Sequence, residues 1–543
     1  MNMKNVWYLF DEKSRDKLNS SGLNYTPAYI PAMLKRLGVT AKPCSTDDIW
    51  KLGEGDILLV GADGSEKFPE NIGGIILLGS CGGISQRCPD IRGYFEAYNK
   101  TIPLFAPISE MPLFGKGKIM FRAKVGQNDL PALIKYGSNI YEFTFDVAAT
   151  VWYSQDGFAK EKSVHGFFIR RTPDARPIPY ETDDSYPYND ILLGILENIL
   201  VSLGAPVLYR LPPLPDRSVP DFALHVSGDD EATSYEVNIA AAKCMHSLGL
   251  PYHINLMPNN RNYTVIPEKI PELENFGCDV SLHTDFTATP YTKEGQKSEC
   301  DSFYKWFGFK SYTNTNHCLI QGGSTAERLR WLSDCGIVAD NSKLGEVEPS
   351  NINAFNLCGF GFGTAFPSYT CDDPEHKNEL LSTMEIPITY YEPRLASEDE
   401  QVEIYRNREK ITDYIDNAAK GGYLTQFFIH PHHLALDIPD RQWTVNALKA
   451  AKAHWERKQY KPLLTTTNRF AKFWKDRSES TVWSNSKSTE INCSSPIFVR
   501  LPYDRDKVFV NNSLTDVIRK EVGGHTISLV LIDSTHADVQ IPD

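Results

Sequence analysis

The sequence predicts an α/β protein built from an open α/β sheet at the amino end, a distorted (β/α) barrel in the middle and a small β-sandwich-like module at the carboxyl end. Three observations carry this. Short apolar strands alternate with helically spaced segments in two separate series. A stretch with five prolines, APVLYRLPPLPDRSVP at 205–220, stands between the two series. The last part of the chain reads as antiparallel strands alone. At 543 residues the chain is also too long for one ordinary domain.

In the first series, NVWYLF (5–10), DILLVGA (56–62), GGIILLGS (73–80) and GKIMFRA (117–123) read as strands. PAYIPAMLKRLG (27–38) has helical spacing and stops on Gly38, and DILLGILENILVSLG (190–204) reads as a helix packed back on the sheet. Prolines cannot continue a helix or a central strand, so 205–220 is expected to be a stiff linker. The expected domains are therefore 1–204, a linker at 205–220, a barrel at 221–477 and a β module at 478–543. The second series runs through strands at 221–227, 252–257, 278–284, 336–341, 423–430 and 462–467. Helices are expected at 233–249, 325–336, 398–422 and 468–477. In 478–543, INCSSPIFVRL, KVFVNN and TISLVLID supply the antiparallel strands.

Composition narrows the partners. With 41% hydrophobic and 23% charged residues the chain has ample material for large cores. Its net charge of −13 with scattered acids excludes nucleic acid as the main partner, whereas a polysaccharide tolerates a mildly acidic protein. The 11 cysteines show no CxxC pair or framework spacing and read as reduced thiols. No apolar run is long enough for a membrane span, since 191–207 contains Glu197 and Asn198. MNMKNVWYLFDEKSR reads as no signal peptide, so a cytoplasmic location is expected.

In a barrel of parallel strands, reactive groups gather where the strands end. Past the expected strands lie Asp229, Asp230 and Glu231; His283, Thr284 and Asp285; Asp340, Asn341 and Ser342; and His430, His432 and His433. Asn316 and His317 sit in a loop ahead of the helix at 325. Singly, each has a bland reading. The two aspartates could cap the helix that follows, His283 could be a hydrogen-bonded structural histidine, and HPHH could be a polar turn. Their convergence on one rim points instead to a site. Adjacent carboxylates that repel one another are relieved by a cation, which with histidines makes a metal-dependent hydrolytic centre.

Residues 221–475 resemble the polysaccharide deacetylase family, carbohydrate esterase family 4. SGDD (227–230) is similar to the family's Thr-Phe-Asp-Asp motif, HTDFT (283–287) begins its second, histidine-containing motif, and FFIHPHH (427–433) matches a late strand that ends in histidine. The stretch 316–342 resembles the middle of the barrel in bacterial relatives. The resemblance implies a divalent metal, usually zinc, with Asp229 as general base, Asp230 and His283 as ligands and His430 as general acid. Thr287 stands where the family has its second histidine, and the family's arginine-containing third motif is not recognisable. The third ligand is then sought among His317, Asp285 and Glu231, with His317 favoured. Asp285, Thr287, Asp340, His432, Trp306 and Tyr391 are expected to line the substrate, aromatic rings serving to stack on sugar.

GSCGG (79–83) fits the Gly-x-Cys-x-Gly turn of glutamine amidotransferases, so the first domain resembles a flavodoxin- or amidotransferase-like fold. The histidine and glutamate needed to activate Cys81 are not found with it. The expected function is removal of an acetyl or similar acyl group from a carbohydrate or glycoconjugate. A catalytically silent carbohydrate-binding protein on the same barrel, and a thiol hydrolase working through Cys81, are the alternatives. Oligomeric state is not legible.

Overall fold

The computed structural model describes residues 3–62, 67–79, 91–110, 112–156, 170–171, 185–259, 262–321, 324–344, 356–395, 411–485 and 487–542. Cys81, the helix residues expected at 398–410 and the loop between 344 and 356 fall outside them.

The amino-terminal sheet has nine strands. Ala41–Cys44, Asn5–Leu9, Asp56–Val60, Gly74–Leu77 and Ile140–Phe143 lie side by side in parallel. The sheet then continues antiparallel through Asn128–Tyr136, Lys118–Val125, Gly93–Ala97 and Lys100–Leu104. The expected strand at 117–123 thus belongs to an antiparallel extension. The helix Ile30–Leu37 ends on Gly38 at φ 75°. The helix Tyr188–Leu203 lies against the sheet so closely that a Cβ on Gly74 would sit 2.9 Å from Leu203.

The central sheet is built from parallel strands: Phe222–Asp229, Tyr252–Leu256, Cys278–Thr284, Thr313–Asn316, Ala339–Leu344, Met384–Ile388 and Leu424–Phe428. It curls back on itself. Met384–Ile388 pairs with Ala339–Leu344, and Tyr391, just beyond it, pairs with Phe428 on the strand that flanks Phe222–Asp229. Pro462–Thr465 pairs with the first half of Phe222–Asp229 and Tyr252–Leu256 with its second half. One end of this sheet therefore collects all the strand C-termini.

The carboxyl-terminal strands form antiparallel pairs in two sheets. One of them includes Val207–Leu208, which runs antiparallel to Ile497–Arg500 with Val207 opposite Arg500 and Leu208 opposite Val499. The proline-rich stretch is thus packed rather than bare: Val207, Leu208, Tyr209 and Leu211 are buried. Arg477, on the helix Thr467–Glu479, ties the parts together. Its guanidinium donates to the carbonyls of Leu208 at 2.9 Å, Tyr209 at 3.0 Å and Arg36 at 3.1 Å.

Candidate metal centre at the barrel rim

Four strand ends and their following loops meet at the rim. Phe222–Asp229 runs through Asp229, two residues further than its apolar pattern suggests. The strand ends at Asp229, and a left-handed turn at Glu231 follows it, so that Asp229 and Glu231 face His283 while Asp230 is bonded into the loop. Asp230, 1% exposed, accepts from the backbone N–H of Met257 at 2.8 Å and of Ala232 at 3.0 Å, and from Asn238 at 3.3 Å. It therefore organises the loop, and the ligand role expected for it passes to Glu231. Burial raises the Asp230 pKa to about 7.

Glu231 is the centre of the site. Its Oε2 lies 3.0 Å from His317 Nε2, and its Oε1 lies 3.3 Å from His430 Nε2 and 3.9 Å from His283 Nε2. Each of these histidines is anchored through its other nitrogen. His283 Nδ1 meets the Thr315 carbonyl at 2.9 Å, His317 Nδ1 meets Asp285 Oδ1 at 3.0 Å, and His430 Nδ1 meets Glu392 Oε1 at 2.6 Å. An acceptor at Nδ1 fixes the ring and directs Nε2 to the centre, the arrangement in which outer partners orient metal-ligating imidazoles.

His283 is 0% exposed and burial lowers its pKa to about 4, so it is a neutral ring. With Nδ1 donating to Thr315, its Nε2 carries a lone pair. That atom has no hydrogen-bond partner and lies 3.4 Å from Asp229 Oδ2. Ligand atoms of Asp229, Glu231 and His283 all lie within 4.8 Å of one another. Two carboxyl groups and an unpartnered imidazole lone pair thus face one point, a ligand set that suits a cation.

Burial raises the Asp229 pKa to about 8, and Glu231 adds to this; Asn255 donates to its Oδ1 at 2.8 Å. For Glu231 burial works the other way from the outcome: hydrogen bonds from His317 and His430 hold its carboxyl well below the usual range. Burial opposes charge on His317, yet Asp285, Cys318 and Glu231 raise its pKa to about 12. His430 is likewise raised well above its ordinary value, against burial, by Tyr391, Glu231 and Glu392.

The loops that carry these groups are strained. Glu231 and Ala232 have φ of 50° and 53°, Glu392 has 48°, and Cys318, next to His317, has 54°. Left-handed backbone at non-glycine residues costs of order 1 kcal/mol each and collects at functional sites.

The other expected residues divide. Asp285 stands behind His317 and also accepts from Thr287, through its N–H at 2.9 Å and its hydroxyl at 2.5 Å. Thr287 is therefore a support for Asp285. Tyr391 borders the site, stacked 5.5 Å from Phe428 with its edge 5.8 Å from His430. The His432 ring lies 5.4 Å from that of His430, and burial lowers its pKa to about 4. Asp340 is not at the rim. The strand expected at 336–341 runs instead as Ala339–Leu344, so Asp340 falls within it, ion-paired to buried Arg328. Trp306 donates to the Val265 carbonyl at 3.0 Å and packs on Tyr263, away from the cluster. Glu392 had no place in the sequence expectations and His433 no assigned role; with His430 they form a second group of converging ligand atoms, His433 also meeting Arg394 at 3.1 Å.

Among the described residues, no helix is long and apolar enough to cross a membrane. No known family profile matches the sequence, and no curated protein does. Solved structures overlay about half the chain. A candidate polysaccharide deacetylase from Mycobacterium smegmatis has 11% identity over 49% of this chain and 94% of its own, with a TM-score of 0.32. A family 4 acetyl xylan esterase from Clostridium thermocellum, in complex with a cobalt ion, has 8% identity over 46% and 91%, with a TM-score of 0.24. The peptidoglycan deacetylase PdaC from Bacillus subtilis has 11% identity over 47% and 93%, with a TM-score of 0.25. At scores this low the likeness assigns no residue a role.

Proposed function

We propose that the chain is a metal-dependent hydrolase that removes an acetyl group from a carbohydrate or glycoconjugate. The observation that carries the reading is the set of three anchored histidines aiming Nε2 at Glu231, beside Asp229 and the unpartnered His283 Nε2. Glu231, His283 and His317 would hold a divalent cation, zinc being the first choice for this nitrogen and carboxylate set. A cation so held polarises an acyl carbonyl and lowers the pKa of water.

The chain's own residues do the rest. Asp229, buried and with a pKa of about 8, is suited to accept a proton from the attacking water near neutral pH. His430 keeps Nδ1–H on Glu392, holds a proton at Nε2 and can deliver it to the leaving nitrogen or oxygen. Asp285, supported by Thr287, keeps His317 in register. The choice of sugar substrate rests on the resemblance of SGDD, HTDFT and FFIHPHH to polysaccharide deacetylases, and on Tyr391 at the edge of the site.

The test is the metal content of the purified protein by mass spectrometry, with acetate release from acetylated sugars measured alongside. About one equivalent of zinc, nickel or cobalt is expected, lost in Glu231→Ala and His283→Ala together with acetate release. Asp229→Asn should keep the metal and lose roughly a thousandfold in turnover. A protein that binds sugar but no metal, even when supplied with zinc, would overturn the hydrolase reading in favour of a binding protein.

A further inference from the structure

Away from the rim, two helices enclose a pair of thiols. Lys293–Phe307 and Thr325–Cys335 pack side by side, and between them lies a cavity of about 360 Å³ lined by Lys297, Cys300, Asp301, Trp331, Asp334 and Cys335. Cys300 and Cys335 are both free and half-buried. Both pack against one small apolar cluster of Ala326, Leu329, Leu332, Ile337 and Leu381. Both thiols line this one cavity, and Gln296 Nε2 donates to Cys300 Sγ at 3.6 Å. Cys44, Cys278, Cys358, Cys371 and Cys493 are buried, and burial raises the thiol pKa of Cys278.

We propose that Cys300 and Cys335 form a modifiable dithiol site that takes a small-molecule disulfide as its co-reactant and closes into a bridge between the two helices. The cavity gives the reagent access, and it holds both thiols, on neighbouring helices and against one apolar cluster, in a single space where a bridge can close. The Cys335 thiolate, in the cavity that Lys297, Asp301 and Asp334 also line, attacks one sulfur of the reagent. The reagent's S–S bond breaks, one small thiolate leaves with the proton from Cys335, and a mixed disulfide remains on Cys335. Cys300 then gives up its proton and attacks Cys335 Sγ, expelling the second small thiolate, which takes that proton. The protein loses two hydrogens and the reagent is reduced to two thiols, so electrons balance.

The experiment treats the full chain with oxidised glutathione, quenches with an alkylating agent and maps peptides by mass spectrometry without reduction. Expected is a dominant cross-linked species joining the Cys300 and Cys335 peptides, reversed by dithiothreitol, with a rise in thermal unfolding temperature that disappears on reduction. In Cys300→Ser the reaction should stop at a glutathione adduct on Cys335, and in Cys335→Ser position 300 should stay unmodified. Glutathione adducts in the unaltered chain without the bridge, bridges between other cysteines, or no reaction at these thiols would each overturn the proposal. The peptide map reads the chemistry directly and needs no catalytic activity.

Discussion

Two buried clusters of charged groups lie in the same curled sheet, and they differ in how their groups are matched. In the first, Arg328, 0% exposed, pairs with Asp340 and with Glu385 at 2.5 Å. The remaining oxygens are matched as well. Asp340 Oδ1 accepts from Asn314 at 2.7 Å and Ser342 at 3.0 Å, and Glu385 Oε1 accepts from the N–H of Lys343 at 3.1 Å and of Ser342 at 3.3 Å. In the second, Glu231 is met by His317 and His430, while the His283 Nε2 lone pair lies 3.4 Å from Asp229 Oδ2 without a hydrogen-bond partner. A buried charge is tolerated when it is paired and hydrogen-bonded. The first cluster pairs both carboxylates with Arg328, leaving only a guanidinium Nε without a partner, whereas the second keeps an imidazole lone pair turned toward a carboxyl.

The largest effect should come from breaking the complete cluster. Arg328→Met leaves two buried carboxylates unpaired and should lower stability by about 3–5 kcal/mol in denaturant unfolding. Adding a divalent cation should recover none of it. Asp229→Asn, which replaces a carboxyl that keeps its proton at neutral pH, should leave the metal-free protein within about 1 kcal/mol of the original. If Arg328→Met were as stable as the parent, or were rescued by zinc, the distinction between the clusters would fail.

The next effect sharpens the comparison through protons. The Asp229 pKa is raised to about 8 by burial, so without a cation this carboxyl keeps its proton at neutral pH. A group raised in the folded state adds nothing against folding below its unfolded value, near 4, and costs stability as pH climbs to the folded value. A cation competes with that proton. Its affinity should therefore rise with pH from 6 to 8, by less than about tenfold per unit on account of Asp229, which faces the cation without ligating it. It should rise further because His317, its pKa raised to about 12, must give up its Nε2 proton to act as a ligand. Titration calorimetry in buffers of different ionisation enthalpy should show at least about one proton released at pH 7, from His317, with part of another from Asp229. A flat affinity across this range would show that the site holds no such proton.

The same two clusters explain what could be read in the sequence. Strands such as Phe222–Asp229 and Leu424–Phe428 were legible because apolar runs end in polar residues. Thr313–Asn316 was not, because TNTN has no apolar residue. Its side chains serve the polar interior instead: Asn314 reaches Asp340, and Thr313 meets Asn468 at 2.8 Å. Met384–Ile388 was hidden by Pro387, which argues against a central strand, and with it went Glu392. Asp340 was misplaced because an apolar start at Ile337 set the strand too early. Glu231 stood only among the candidates for a third ligand, because the left-handed turn that brings it beside Asp229 leaves no mark in the apolar pattern. His317 was favoured from its place ahead of a barrel helix, and its Nε2 lies 3.0 Å from Glu231. Cys81 lies outside the described residues, so the amidotransferase-like resemblance stays an expectation.

The smallest effect concerns the residue that departs from the deacetylase motif. Thr287 stands where the family's second histidine is expected, yet its hydroxyl donates to Asp285 Oδ1 at 2.5 Å and so fixes the carboxylate that anchors His317. Thr287→Val keeps the backbone N–H bond to Asp285 and removes only the hydroxyl. Losing one hydrogen bond to a charged group should weaken cation affinity by roughly 1–2 kcal/mol, about a fivefold to thirtyfold change. Asp285→Asn should go somewhat further, at ten- to a hundredfold, because it also alters the partner of His317 Nδ1. Thr287→Ser, which restores the hydroxyl, should bind the cation as the parent does. A complete loss of binding in Thr287→Val would make Thr287 a direct ligand. No change at all would detach His317 from the cation and leave Asp229, Glu231 and His283 to hold it alone.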